Sequence, residues 1–333
     1  MNLKRKKENI IFVISAGAKY GLGHLMRCSV LAREAQRKGA SITFMLRGDE
    51  AAIRILHDQV HDIDIYAWGQ PDVSADVVVF DTRETIDQEV IKFKNAGAKI
   101  VLVDRLLPEA NVDLFVLPVI SASVPKSIEN RVLAGADYVV LAESFLKEKS
   151  QAIGVNQGSY LLVSMGGSDP LNITEKVLEA CSRLRESLPK QMIKVVLGPT
   201  NKSAEQLNKR AKDLKIDCIL APDQETYRDL LLQSALVVLG FGISVYETSY
   251  LGIPSLYITH YREDLIQAKK LATLGLGRLV GYGVELSVND IKESCLAALN
   301  DPAFMKGGFE VKIDGLGSKR IVDNLLGLIS SAV

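Results

Sequence analysis

The chain has 333 residues, 47% of them hydrophobic, and balances 40 Lys plus Arg against 40 Asp plus Glu. That length exceeds the usual size of one core, so two domains are expected, and a formal charge of zero argues against nucleic acid or a broad anionic surface as partner. The scattered Cys28, Cys181, Cys218 and Cys295 have no paired spacing, which argues against a disulfide framework or a zinc knuckle and for reduced thiols in the cytoplasm.

A basic Lys4-Arg5-Lys6-Lys7 opens the chain and reads as a solvated tail, because the apolar run after it is too short for a leader. That run, 10–15, is β-branched and predicts a strand. Gly21-Leu22-Gly23-His24-Leu25-Met26-Arg27 follows, with Leu25, Cys28, Leu31, Ala32 and Ala35 at helical spacing. His24 therefore stands where a strand hands over to a helix. Gly21 and Gly23 let a ligand approach the backbone there, and the helix start offers unpaired N–H groups to an anion. An imidazole at that place can move protons near neutral pH. The competing reading is a capping or packing residue.

Further strands are predicted over 42–46, 77–81, 100–104 and 114–117, with a helix over 84–96. The unbroken Val77-Val78-Val79-Phe80 implies burial on both faces, hence a parallel sheet covered by helices. Asp81 and Asp104 end such strands and so belong at the carboxyl edge beside His24, where either could orient the imidazole or cap a helix. Arg83 and Arg105 could meet phosphate or pair with these carboxylates.

The alternation lapses over 147–159, a polar stretch with two glycines, which predicts a linker between domains 1–150 and 151–333. Strands then resume over 160–165, 193–197, 218–220, 236–239 and 255–258, with helices over 172–185, 203–214, 244–251 and 265–274. Two doubly wound α/β domains, each Rossmann-like, are expected, with a ligand in the cleft between them.

Two loops of the second domain have the same physical character. In Met165-Gly166-Gly167-Ser168-Asp169-Pro170, with Asn172 just beyond, a strand ends in glycines before a helix and can turn N–H groups and a hydroxyl toward phosphate. An ordinary Ser/Asp cap is the alternative. In Gly240-Phe241-Gly242-Ile243-Ser244-Val245-Tyr246-Glu247 the helix start can face an anion and Glu247 can accept ribose hydroxyls, unless Ser244 and Glu247 form a capping box. Leu251-Gly252-Ile253-Pro254 is a helix stop. A Gly-x4-Gly-Lys-Ser/Thr loop, a Gly-x-Gly-x-x-Gly first turn and a His-Glu-x-x-His are absent, which disfavours a kinase, a nicotinamide dehydrogenase and a zinc hydrolase. No run approaches the roughly 20 apolar residues of a bilayer span, so integral membrane association is not expected.

Gly21-Leu22-Gly23-His24 with Arg27, Met165-Gly166-Gly167-Ser168-Asp169 with Asn172, and Ser244-Val245-Tyr246-Glu247 through Pro254 resemble the UDP-sugar hydrolases of pseudaminic acid biosynthesis and the related spore-coat polysaccharide proteins. These are in turn similar to the MurG-like glycosyltransferases of the GT-B fold. The resemblance implies that Gly166, Gly167 and Ser168 and the helix start at Gly242, Ile243 and Ser244 bind pyrophosphate, and that Glu247 binds the uridine ribose. It also implies that His24 activates water at the anomeric carbon with no metal or other cofactor. Asp81 would assist His24, while Gly21, Gly23, Arg27, Asp169, Asn172 and Asp264 would line the substrate. A glycosyltransferase passing the sugar to a hydroxyl acceptor is the alternative activity. The sugar side departs from the hydrolase pattern: Ile14-Ser15-Ala16 replaces Arg-x-Asp, Asp81-Thr82-Arg83 replaces Asp-His-Tyr, and Glu263-Asp264 replaces Asn-Gln.

Overall fold

A computed structural model describes residues 7–69, 73–107, 111–120, 124–146, 158–187, 192–307 and 312–330. The chain runs through β1 (Asn9–Ala16), α1 (Gly23–Arg37), β2 (Ser41–Gly48), α2 (Glu50–Gln59), β3 (Asp64–Ala67), β4 (Val77–Asp81), α3 (Asp87–Asn95), β5 (Lys99–Val103), β6 (Leu114–Leu117) and β7 (Val132–Ala134). It continues through α4 (Glu143–Leu146), β8 (Tyr160–Ser164), α5 (Ile173–Ser187), β9 (Met192–Leu197), α6 (Ala204–Asp213), β10 (Asp217–Leu220), α7 (Gln224–Leu232) and β11 (Ser234–Gly240). Then come α8 (Ile243–Leu251), β12 (Ser255–Thr259), α9 (Leu265–Thr273), β13 (Arg278–Tyr282), α10 (Val288–Leu299), α11 (Pro302–Met305) and α12 (Gly317–Ser330).

Two compact units result: Met1–Val140 together with Asp314–Val333, and Leu141–Ile313. The first contains a parallel sheet in the order β3-β2-β1-β4-β5-β6-β7 and the second a parallel sheet in the order β10-β9-β8-β11-β12-β13. Their central strands are apolar up to a polar last residue, Asp81 in β4 and Ser164 in β8, because both faces are covered: every residue of β4 and of β8 is buried. In the first unit Val78, Phe80, Val90, Phe93 and Phe115 share one core, and Phe12 stacks on Phe44 at 5.2 Å. In the second, Leu161, Val163, Val177, Cys181, Val238, Ile258 and Cys295 share another. Each buried Val, Leu, Ile or Phe among them contributes about 1.5–3 kcal/mol by leaving water, which holds the strands that carry the loops in place.

Both sheets reverse strand order at their centre, between β1 and β4 and between β8 and β11. At such a reversal the adjoining loops diverge to opposite faces and leave a crevice at the carboxyl ends. His24 follows β1 and Asp81 ends β4; Gly166 follows β8 and Gly242 follows β11. The topology alone thus selects the loops that the sequence singled out.

Several expectations are corrected. Residues 314–333, placed by the sequence in the second domain, belong to the first unit, and their helix α12 packs on α1 and β4, where Lys38 pairs with Asp323 and Arg320 donates to the Asp137 carbonyl. A Cβ at Gly317 would fall 2.1 Å from the Val139 carbonyl oxygen, so a glycine is needed where this helix meets the chain leaving the first sheet. Most of the expected linker, 147–157, lies outside the described residues. β3, β7 and β13 are not among the expected strands, nor are α2, α4, α7, α10, α11 and α12 among the expected helices. An Asp62-Ile63-Asp64 triplet stands at the amino end of β3, the end opposite the loops just named.

Candidate active site

In the first unit Asp81 is the hub. It is fully buried, and its Oδ1 accepts from His24 Nδ1 at 2.7 Å and from Arg27 Nη2 at 2.7 Å. Its Oδ2 accepts from Arg27 Nε at 2.8 Å, completing a fork, and Cys28 Sγ lies 3.4 Å away. Burial works against ionisation of Asp81, but the Arg27 and His24 contacts outweigh it and hold the carboxyl well below the usual range. Burial and the Asp81 charge push the Cys28 thiol far up, so it is an inert packing group.

A carboxylate cannot donate, so Nδ1 of His24 must carry the hydrogen. Its 3.4 Å approach to Arg27 Nη2 is then a meeting of two donors. The consequence is a fixed tautomer with the lone pair on Nε2, which bonds no group among the described residues. The imidazole side chain is 15% exposed. Asp104, just past β5, adopts a left-handed φ of 64° and accepts from Arg27 Nη2 at 3.1 Å. The ends of the adjacent strands β4 and β5 are thereby joined to α1 through one guanidinium. The backbone loop before α1 is shaped separately: Gly17 and Gly21 exchange N–H···O bonds at 2.9 and 2.8 Å, and Asp49 accepts from Ala18 N at 2.8 Å while capping α2.

In the second unit the Gly166–Gly167 loop leaves β8 with Gly166 at φ 87° and no atom near the place of a Cβ. Asp169 is buried and spends its oxygens on Ile173 N at 2.9 Å, Thr174 N at 2.8 Å and His260 Nε2 at 3.1 Å. Although burial opposes ionisation, these bonds hold its carboxyl below the usual range. Of the two readings open for Asp169, the helix cap is therefore formed. Asn172 donates to Glu175 at 2.9 Å and keeps a buried Oδ1 without a partner. Gly198, which the sequence reading passed over, packs so tightly that a Cβ would lie 2.3 Å from the Gly167 carbonyl oxygen, and Thr200 clamps that oxygen through its N–H and hydroxyl at 3.1 and 3.0 Å.

α8 starts at Ile243 with Gly242 as its N-cap, so Ser244 lies inside the helix and the Ser244–Glu247 capping box does not form. The place of a Cβ on Gly242 is empty, which leaves the helix start open to a ligand. Glu247 is buried; burial pushes its carboxyl up to about 7, with the Ser244 hydroxyl only partly opposing. Tyr227 of α7 donates to Ser244 Oγ at 3.4 Å, and burial together with the Glu247 charge pushes its phenol up to about 12. Asp264 lies on the 3-10 turn between β12 and α9.

No protein-family model matches the sequence. The chain is 25% identical over 312 residues to the uncharacterized protein MJ1062 of Methanocaldococcus jannaschii, covering 85% of this chain but only 63% of that protein. It is 24% identical over 289 residues to the spore coat polysaccharide biosynthesis protein SpsG of Bacillus subtilis, covering 79% of this chain and 83% of SpsG. Among solved structures, the UDP-GlcNAc 2-epimerase of Neisseria meningitidis bound to UDP-GlcNAc superposes with a TM-score of 0.67 at 13% identity, covering 96% of this chain and 100% of that one. Acinetobacter baumannii MurG gives 0.63 at 13% identity, covering 96% and 99%. The chain has the fold of these proteins, two Rossmann-like domains of the GT-B class. Among the described residues no helix is long and apolar enough to cross a membrane, and no group of three or more His, Cys, Asp or Glu side chains could hold a metal ion.

Proposed function

We propose that the chain hydrolyses a UDP-linked N-acetylated amino sugar, releasing UDP and the free sugar for surface polysaccharide or nonulosonic acid synthesis. The observation that carries this reading is the His24–Asp81 contact, which fixes the imidazole with Nε2 as its basic atom. Nε2 takes a proton from water, the water oxygen bonds to the anomeric carbon, and the bond from that carbon to the diphosphate oxygen breaks. Asp81 balances the imidazolium that results. General-base assistance of this kind contributes about 10²–10⁴ in rate.

The second unit takes the nucleotide. Gly166, Gly167 and Ser168 with the α8 start at Gly242, Ile243 and Ser244 bind the diphosphate, and Glu247 binds the ribose hydroxyls. Gly21 and Gly23 let the sugar approach the α1 start. Arg27 has only Nη1 uncommitted, so it acts chiefly by holding Asp81 and Asp104 in place. Asp169 and Asn172 shape the diphosphate loop, and Asp264 is assigned to the sugar. The match to SpsG, a protein named for polysaccharide biosynthesis, supports the pathway class.

The test is to incubate the chain with a panel of UDP-sugars, without added acceptor, and to quantify UDP by anion-exchange chromatography. Release that disappears in His24→Gln supports the reading. Release only when a hydroxyl acceptor is added replaces it with glycosyl transfer, and no release from any sugar under either condition refutes it.

A further inference from the structure

The second unit contains a buried histidine that none of the roles above uses. His260 follows β12 and reaches across the end of β11 to the loop beyond β8, where its Nε2 lies 3.1 Å from Asp169 Oδ1. The residue it passes over is Gly240: a Cβ there would sit 2.7 Å from His260 Cε1 and 2.9 Å from the Met165 carbonyl oxygen. His260 therefore stands between the two glycine loops assigned to the diphosphate. Its side chain is only 9% exposed. Because Asp169 is held as a carboxylate, Nε2 carries the hydrogen of that bond. The other ring nitrogen, Nδ1, bonds no group among the described residues.

Charge balance gives that nitrogen a use. Neither 163–172 nor 239–247 contains a Lys or an Arg. In the loop after β12 the other base is Arg262, an exposed side chain paired with Glu285 and laid over the Tyr282 ring. A helix start supplies only about half a positive charge, whereas a diphosphate brings at least two negative ones. We propose that His260 is a phosphate-binding residue: on nucleotide binding its Nδ1 takes a proton from solvent and donates it to a phosphate oxygen, with Asp169 balancing the imidazolium from the other side. No covalent bond between heavy atoms is made or broken. This inference rests on the UDP-sugar reading and deepens it.

Calorimetric titration of the full chain with UDP and with uridine, which lacks the phosphates, tests it. His260→Gln keeps an amide that can donate to Asp169 but removes the charge. UDP affinity should fall about 10- to 100-fold, the range of a lost charge-assisted hydrogen bond, while uridine affinity stays unchanged. An equal loss for both ligands makes His260 structural and overturns the inference, as does no loss for either. Should the variant fail to fold, ring-¹⁵N spectra of the unaltered chain decide: Nδ1 of His260 becomes protonated on adding UDP and not on adding uridine, and an Nδ1 that stays neutral with UDP refutes the role. Absence of UDP binding by the unaltered chain overturns the nucleotide-sugar reading itself, and this role with it.

Discussion

Replacing Glu247 with glutamine should make the second unit more stable at neutral pH and less able to hold a nucleotide. Burial in α8 raises this carboxyl from 4.5 to about 7, the Ser244 hydroxyl offsetting only part of the effect. For an acid whose folded pKa is raised, the cost is absent below the unfolded pKa. It grows as pH rises from about 4.5 to about 7, because the unfolded chain ionises while the folded one does not, and it is constant above that. A rise of that size corresponds to about 3 kcal/mol. That rise already contains the Ser244 bond, and a glutamine oxygen accepts from the same hydroxyl, so Glu247→Gln should gain about 3 kcal/mol at pH 8. In a unit of this size that is about 6–12 °C in Tm. Scanning calorimetry of the full chain at pH 8 should show this rise in the transition of the second unit, with no gain at pH 4.5. UDP and uridine should both bind at least about tenfold more weakly, since both contain the ribose. A Tm gain equal at the two pH values, or a loss at pH 8, would refute the picture of a buried carboxyl that resists ionisation.

Asp81→Asn leaves the buried Arg27 fork without its carboxylate, and chemical denaturation should show the first unit less stable by about 3–5 kcal/mol. Its turnover of an identified UDP-sugar should fall by about 10³–10⁴ as the His24 tautomer is lost. Because the Asp81 carboxyl is held well below its ordinary value, its contribution is present above about pH 4 and lost as pH falls below that. The stability difference between Asp81→Asn and the unaltered chain should therefore shrink between pH 7 and pH 3, and a constant difference would sink the argument. Gly198→Ala places a methyl 2.3 Å from the Gly167 carbonyl oxygen; overpacking of about 1–3 kcal/mol should displace the diphosphate loop and weaken UDP without touching the first unit's transition. EDTA should leave UDP release unchanged, because the His24–Asp81 pair supplies the base and its counter-charge, and release abolished by EDTA and restored by a divalent cation would overturn the mechanism.

The central strands were legible because each is an unbroken apolar run flanked by turn residues. β3, β7 and β13 were not, because edge strands are short and half-buried: β7 has three residues, and β13 is interrupted by Gly281 at φ 153°. The starts of α2, α7 and α10 did carry signals, since Asp49, Asp223 and Ser287 cap them and Ser287 with Asp290 forms a capping box. α12 shows a limit of another kind. An amphipathic helix states that one face is buried but not which core it covers, and sequence order pointed to the wrong one.

At the site, the rule that ligands meet a parallel sheet at its carboxyl edge brought His24 and Asp81 together across 57 residues of sequence. The same rule applies with equal force to His260 and Asp169, 91 residues apart, yet Thr259-His260 reads only as the end of a strand. What distinguishes the two pairs is where each carboxylate spends its other bonds. Asp81 gives them to Arg27, and through it to Asp104, so its charge remains available to an imidazole that changes protonation during a reaction. Asp169 gives them to the first N–H groups of α5, so it is fixed to a helix start and fixes His260 in turn between two glycine loops. The proton of the reaction belongs beside the first carboxylate and a charge taken up with the nucleotide beside the second, which is why the chemistry is assigned to His24 and the binding of phosphate to His260.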